Sequence, residues 1–458
     1  MRPDFTSVYK IKDSESEYGK AKGEVVLPIW EILNTIRPDT SDEVINVDYN
    51  NDSVLTDANY LYDGYKRAKT GSAWKPEVQQ FEANYLLEIA VLQKELEEQT
   101  YKTSPQNSFI IHERGRVRLI NSLRMKDRVV RHVYCDHILN PLLRPKLIYD
   151  NYASLTQRGI TMARNRFERF LHEWYRKHKS NEGWIMIQDY SGFYDNILHE
   201  VLKEEIDPLL KNEKDRWMLS LILSDSLVDV SFMTEEERKL YKTTKLKILD
   251  YDKIPKELKT GKYFWPKSLN IGDQGSQSLS TFYPVKVDNF IKIVCGVRYY
   301  GRYMDDSFII AETREELKEL LGKIKQVTDS VGIFLNPKKT RIFKLSSRFR
   351  FLQMQYSLTE TGRVIIKINP KRLTAMRRRL RKLKKRVEEG KTPYADVENM
   401  FRGWYGNFHR YMSKLQKANL ILLYDSLFEK ERKGVSIWKS IQIMVSRSKK
   451  RKKCKSIT

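Results

Sequence analysis

Cysteine is scarce in this chain: three among 458 residues, Cys135, Cys295 and Cys454. An odd count without metal-ligand spacing excludes a disulfide framework and points to a reducing compartment, so a cytoplasmic protein is expected. Long apolar runs are missing too. None approaches the roughly 18 residues that a bilayer span requires, and the opening MRPDFTSVYK lacks the apolar core of a secretory signal. Acids are outnumbered, with 59 Asp and Glu against 84 Lys and Arg, a net charge of +25. That excess attracts polyanions, nucleic acid first and an anionic membrane surface second.

What is present argues for a folded chain. Residues that are 40% apolar and 11% aromatic, over this length, support two or three subdomains with a sizeable core. The stretch VRYYGRYMDDSFIIA, Val297 to Ala311, places two adjacent carboxylates between apolar, aromatic-rich runs. Its period-2 alternation predicts a β-hairpin with Asp305 and Asp306 at the tip. The tip has neither Asn-Gly nor Gly-X, so its backbone carries a local cost of the kind kept at functional sites. A third acid has a matching setting upstream. Trp184 to Asp189 reads as an apolar strand ending in a carboxylate, followed by Tyr190-Ser191-Gly192-Phe193-Tyr194. Two strands that each deliver an acid can gather three carboxylates around a pair of divalent ions about 4 Å apart, the arrangement that catalyses phosphoryl transfer. Oxygen-only ligands suit Mg²⁺ or Mn²⁺.

Taken in order, residues 1 to about 75 carry no evident chemistry and form a partly helical extension. Val78 to Thr100 has Phe81, Tyr85, Leu86, Ile89, Leu92 and Leu96 near helical spacing, which predicts one amphipathic helix. Glu113-Arg114-Gly115-Arg116 is a hairpin turn from which Arg116 and Arg118 could address a triphosphate with bidentate geometry. Leu147 to Ile160 is a loop. Lys239 to Lys262 is a surface loop or insertion with no assigned role. Ile271 to Ser280 is a Gly/Ser/Gln turn entering a helix, where Gln274 could donate to a template or a sugar. An amphipathic helix from Arg314 to Val331 precedes a strand at Gly332 to Leu335 and the loop that carries Lys339, a candidate proton donor to a leaving pyrophosphate. Strand, helix, hairpin, helix, strand is the βαββαβ succession of a ferredoxin-like sheet. Arg350 to Tyr356 is another short strand. In Leu373 to Val387 one helical face is apolar, while eight of the ten residues Arg377 to Arg386 are basic. Arg377, Arg378, Arg381, Lys384 and Lys385 are therefore candidates to lie along a nucleic-acid backbone. The basic end, Lys449 to Lys455, adds non-specific affinity.

These residues resemble a bacterial reverse transcriptase over about residues 75 to 430. Asp189 with Gly192 to Ile197 is similar to the family's first palm motif, and Tyr303-Met304-Asp305-Asp306 to its Y-x-D-D box. Asn336 to Thr340 resembles the Leu-Asn-x-x-Lys-Thr motif, and Phe351-Leu352 the primer grip. One departure stands out: the usual Pro-Gln-Gly is here Asp273-Gln274-Gly275. The resemblance implies an α+β right-hand polymerase with a mostly helical N-terminal extension (1–75), fingers (76–180), a ferredoxin-like palm (181–360, with an insertion near 210–268), an α-helical thumb (361–445) and a basic tail (446–458). It implies addition of dNTPs to a primer 3′-hydroxyl on an RNA template, giving cDNA, with two Mg²⁺ (or Mn²⁺) ions held by Asp189, Tyr190, Asp305 and Asp306. Arg116, Arg118, Tyr194, Gln274 and Lys339 fall at nucleotide-binding positions, and the Tyr194 ring would exclude a 2′-hydroxyl. Group-II-intron-related lineages fit best, in particular defence-associated enzymes using a structured non-coding RNA. Diversity-generating retroelement and retron enzymes come next, and a non-catalytic, maturase-like RNA-binding protein is the alternative. The oligomeric state stays open, a homo-oligomer included.

Overall fold

Alternation and turn chemistry organise the strands, and the helices follow from apolar spacing. The computed structural model describes residues 54–113, 116–251, 253–432 and 437. Most of the N-terminal extension and the whole basic tail thus lie outside the described residues. The chain divides into two units, Met1–Phe167 with Ile185–Ile342 and Glu168–Trp184 with Phe343–Thr458.

In the first unit, β1 (Asn107–Glu113) and β2 (Arg116–Ser122) pair antiparallel, closing with Glu113 opposite Arg116. β3 (Trp184–Asp189) enters a four-stranded sheet between the strands Asp306–Ala311 and Arg341–Lys344. Before the sheet continues, β4 (Val228–Asp229) and β5 (Phe264–Trp265) close an excursion with its own small core of Val230, Leu246 and Trp265. β6 (Tyr300–Tyr303) and β7 (Asp306–Ala311) form the acid-bearing hairpin. β8 (Arg341–Lys344) lies on the other side of β3. In the second unit, β9 (Phe349–Phe351), β10 (Met354–Leu358) and β11 (Val364–Ile368) form a separate antiparallel sheet, followed by the helices Pro370–Glu388, Tyr394–Phe408 and Lys414–Leu427.

Several expectations shift. The single helix over 78–100 is two, Pro76–Ala83 and Tyr85–Glu97, parted at Asn84, whose φ of −129° and ψ of 27° are not helical. Phe81, Ile89, Leu92 and Leu96 are buried, but Leu86 is 69% exposed. The closing strand of the sheet is Arg341–Lys344 rather than 332–335, where Leu335 makes only a lone bridge to Tyr190. The reason is the turn between them: Asn336 accepts from the backbone of Lys339 and Thr340, and the strand restarts after it. Arg350 to Tyr356 is a tight hairpin, not one strand, because Leu352 and Gln353 both take positive φ (43° and 71°). The 239–262 stretch holds short helices, Ile248–Tyr251 among them, inside the β4–β5 excursion. A helix at Ile160–His178, not read from the sequence, buries Ala163, Phe167, Phe170, Leu171 and Trp174. Its apolar residues recur at helical spacing in the sequence.

Candidate nucleotidyl-transfer site

β3 and β7 are neighbours because both bury nearly their whole length: Ile185 to Asp189 and Ser307 to Ala311 are all buried. Ser307 Oγ donates to Gln188 Oε1 at 3.1 Å, and the Tyr190 amide donates to the Asp305 carbonyl at 3.1 Å. Asp189, at the end of β3, and Asp305, in the turn that leads into β7, therefore lie at one end of the sheet. Asp306 pairs across the hairpin with Tyr303, leaving Met304 and Asp305 as the two-residue turn.

The turn is strained as its residue types suggested: Met304 sits at φ +54°. A buried cation underpins it. Arg302 and Asp288, both 0% exposed, pair at 2.7 Å (Nη2 to Oδ2) and 2.9 Å (Nε to Oδ1), and Arg302 Nη1 donates to the Met304 carbonyl at 3.0 Å. The Tyr300 hydroxyl donates to the same carboxylate at 2.5 Å. Burial works against the Arg302 charge, but the Asp288 carboxylate outweighs it and holds the guanidinium firmly protonated. Nothing in a period-2 reading distinguishes Arg302 from the solvent-facing residue such alternation allows.

Asp189 is not left open. Lys339 Nζ reaches both of its carboxylate oxygens, at 2.5 and 2.7 Å, and Asn336 Nδ2 donates to Oδ2 at 3.1 Å. Among the described residues, no group of three or more His, Cys, Asp or Glu side chains is arranged to hold a metal ion. In this conformation the Asp189 carboxylate is taken up by the Lys339 ammonium. The donor set itself, carboxylates alone at the ends of adjoining strands, fits Mg²⁺ or Mn²⁺ once Lys339 moves off. The Tyr190 ring is buried 5.6 Å from that of Phe193, and burial raises its hydroxyl pKa, so only its backbone carbonyl is left to offer a metal.

The remaining candidates gather only in part. The Tyr194 hydroxyl accepts from Ser280 Oγ at 2.9 Å. Burial raises its pKa, the Ser280 bond opposes this, and the charges of Asp305 and Arg118 both reach it. Arg118 lies opposite Ile111 in the β1–β2 hairpin. Gln274 opens the helix Gln274–Phe282, with Nε2 donating to Asp136 Oδ1 at 2.8 Å; its buried Oε1 has no hydrogen-bond partner among the described residues. It lines a cavity of about 690 Å³ together with Tyr194, Gln277 and His132. The Asp273 that stands where a proline was expected caps this helix, accepting from the Gly275 and Ser276 amides at 3.0 and 3.4 Å. It also faces the buried Arg131 at 3.6 Å. Gly272 at φ +120° lets this turn meet β2, since a Cβ there would stand 2.9 Å from the Asn121 carbonyl.

In the second unit, Leu373, Met376 and Leu380 are buried on the helix Pro370–Glu388, while Arg378, Arg381 and Lys385 are exposed and Arg377 is half-buried. Lys384 departs from expectation. It pairs with Glu431 at 2.8 Å and Glu388 at 3.5 Å, so it belongs to the packing of that unit rather than to an open cationic face.

Residues 102–356 match the family model described as reverse transcriptase (RNA-dependent DNA polymerase). No curated protein matches the chain. Among solved structures it is similar to apo telomerase from Candida tropicalis, with 17% identity over 57% of this chain and 48% of that one and a TM-score of 0.37. It is also similar to telomerase from Candida albicans in complex with a TWJ fragment of telomeric RNA, with 13% identity over 72% of this chain and 60% of that one and a TM-score of 0.39. The chain spans about half of the first telomerase and three fifths of the second.

Proposed function

This chain belongs to the reverse transcriptase family, and from that premise we propose that it is an active RNA-directed DNA polymerase adding dNTPs to a primer 3′-hydroxyl. The observation that carries this reading is the hydrogen bond from the Tyr190 amide to the Asp305 carbonyl, which joins the two acid-bearing strands. Asp189, Asp305 and Asp306 are the residues that would hold Mg²⁺ or Mn²⁺. When bound, such ions supply activation of the attacking hydroxyl and charge neutralisation at the departing pyrophosphate. Lys339, released from Asp189, hands a proton to that pyrophosphate. Arg118, and Arg116, whose side chain lies outside the described residues, hold the triphosphate through bidentate contacts. Gln274 addresses the template side through its unpartnered carbonyl oxygen. Tyr194 excludes the 2′-hydroxyl of a ribonucleotide.

In this reading residues 76–180 act as fingers, 181–360 as palm and 361–445 as thumb, with Arg377, Arg378, Arg381 and Lys385 along the duplex backbone. The lineage we favour is bacterial, related to group II introns and defence-associated, with a structured non-coding RNA as template and cDNA as product. A second reading has an observation of its own: the Lys339–Asp189 pair suits a non-catalytic, RNA-binding member of the family. Primer extension on an RNA template separates the two. Wild type extends and Asp305→Ala does not, while RNA binding by the variant is retained. A wild type that binds RNA but never extends would leave only the second reading standing.

A further inference from the structure

No role for the excursion between β4 and β5 follows from sequence, yet it is fastened to the segment that follows Asp189. Asn196 clamps Leu246 from both sides, accepting from its amide at 2.8 Å and donating to its carbonyl at 3.0 Å. Asp195 Oδ2 accepts from the Ile248 amide at 3.3 Å. From behind, the buried Lys267 Nζ donates to the Tyr241 and Thr244 carbonyls at 2.8 and 2.7 Å. Gly192, at φ +59°, permits the approach, because a Cβ there would stand 2.9 Å from Asn196 Nδ2 and 3.5 Å from the Leu246 carbonyl.

These contacts fix the backbone of Lys242-Thr243-Thr244-Lys245-Leu246-Lys247 and present the exposed Lys245 to the site. Its Nζ donates to Ser191 Oγ, two residues beyond Asp189. The next turn, Ile248–Tyr251, comes within 8 Å of β2, the strand that carries Arg118. The segment that begins at Asp189 therefore meets Lys339 of the 336–340 loop and Lys245 of the excursion, and the excursion neighbours β2. A neutral hydroxyl is a weak partner for an ammonium, and a phosphate oxygen is a stronger one. We propose that Lys245 binds the triphosphate of the incoming nucleotide, exchanging Ser191 for a non-bridging phosphate oxygen. This rests on the polymerase reading and makes the excursion part of the substrate site.

The test is dNTP titration in primer extension, with Lys245→Ala, Lys245→Gln and Lys245→Arg beside wild type. Lys239→Ala, which alters an exposed lysine paired with Glu235 elsewhere in the excursion, serves as control. Losing one charge-assisted contact is expected to raise the dNTP KM about tenfold in the Ala and Gln variants. In both, kcat should stay within about twofold and duplex binding should be unchanged. Arg should restore most of the affinity, and Lys239→Ala should match wild type. Glutamine can still bond Ser191, so a wild-type KM in Lys245→Gln would mean that the side chain only holds the excursion in place, and the proposal falls. Should wild type extend no primer, the polymerase reading fails separately. Equilibrium binding of dATP with Mg²⁺ then decides this inference, and equal affinities of wild type and Lys245→Ala overturn it.

Discussion

Lys339 and Asp189, 150 positions apart in the chain, form a two-point ion pair at the end of β3. Lys339 is 44% exposed and Asp189 only 7%, so the pair is partly screened and worth on the order of 1 kcal/mol. A divalent ion that takes Asp189 has to displace this ammonium. Lys339→Ala is therefore expected to tighten Mn²⁺ binding about fivefold in a paramagnetic titration, while slowing primer extension through loss of the proton donor. Unchanged Mn²⁺ affinity would show that lysine and metal do not compete.

The Arg302–Asp288 pair supports the Asp-Asp turn from inside the core. Removing one member of a fully buried pair strands the other charge, at a cost of about 3–5 kcal/mol. Arg302→Met should lower the urea midpoint accordingly, and the folded fraction should polymerise poorly because the Met304 carbonyl loses its donor. A midpoint equal to wild type would remove the pair from the account of the turn.

Tyr194 stands between Ser280 and the field of Asp305. Tyr194→Ala is expected to raise ribonucleotide incorporation at least about tenfold, since the ring is what would meet a 2′-hydroxyl. Tyr194→Phe keeps the ring and loses only the Ser280 bond, so its discrimination should match wild type. Competing dNTP and rNTP extension on one template reads both, and equal discrimination by all three proteins would sink the gate.

His199 gives the fold an acid-sensitive point. Burial lowers its pKa from 6.5 to about 4, against the hydrogen bond to the Ser268 carbonyl at 2.6 Å. The folded state refuses a proton that the unfolded chain accepts below 6.5. The stability that His199 contributes is therefore complete above that pH and is lost as pH falls toward 4, by on the order of 3 kcal/mol. Urea midpoints at pH 7 and pH 4.5, compared between wild type and His199→Gln, isolate this share; parallel losses in the two proteins would contradict it.

Legibility in the sequence followed local periodicity. The β1–β2 hairpin, β3, the Asp-Asp hairpin and the cationic helix Pro370–Glu388 declare themselves through alternation, helical spacing or turn residues. Where a single residue's backbone decides, periodicity misleads. Asn84 splits one apolar pattern into two helices, and Leu352-Gln353 folds one apparent strand back on itself, although neither pair of flanking patterns changes period. Lys384 looked like its basic neighbours because its acidic partner, Glu431, is 47 positions away.

Composition, the order of the acid-bearing strands and the strained turn between Tyr303 and Asp306 are local properties, so the amino-acid sequence by itself determined the family and the neighbourhood of its chemistry. Which cation sits on Asp189, what lies beneath Met304 and what reaches Ser191 were decided only in three dimensions. Those partners are Lys339, Arg302 with Asp288, and Lys245. Each joins elements that no repeating pattern links, and electrostatic pairing depends on distance in space rather than on spacing along the chain.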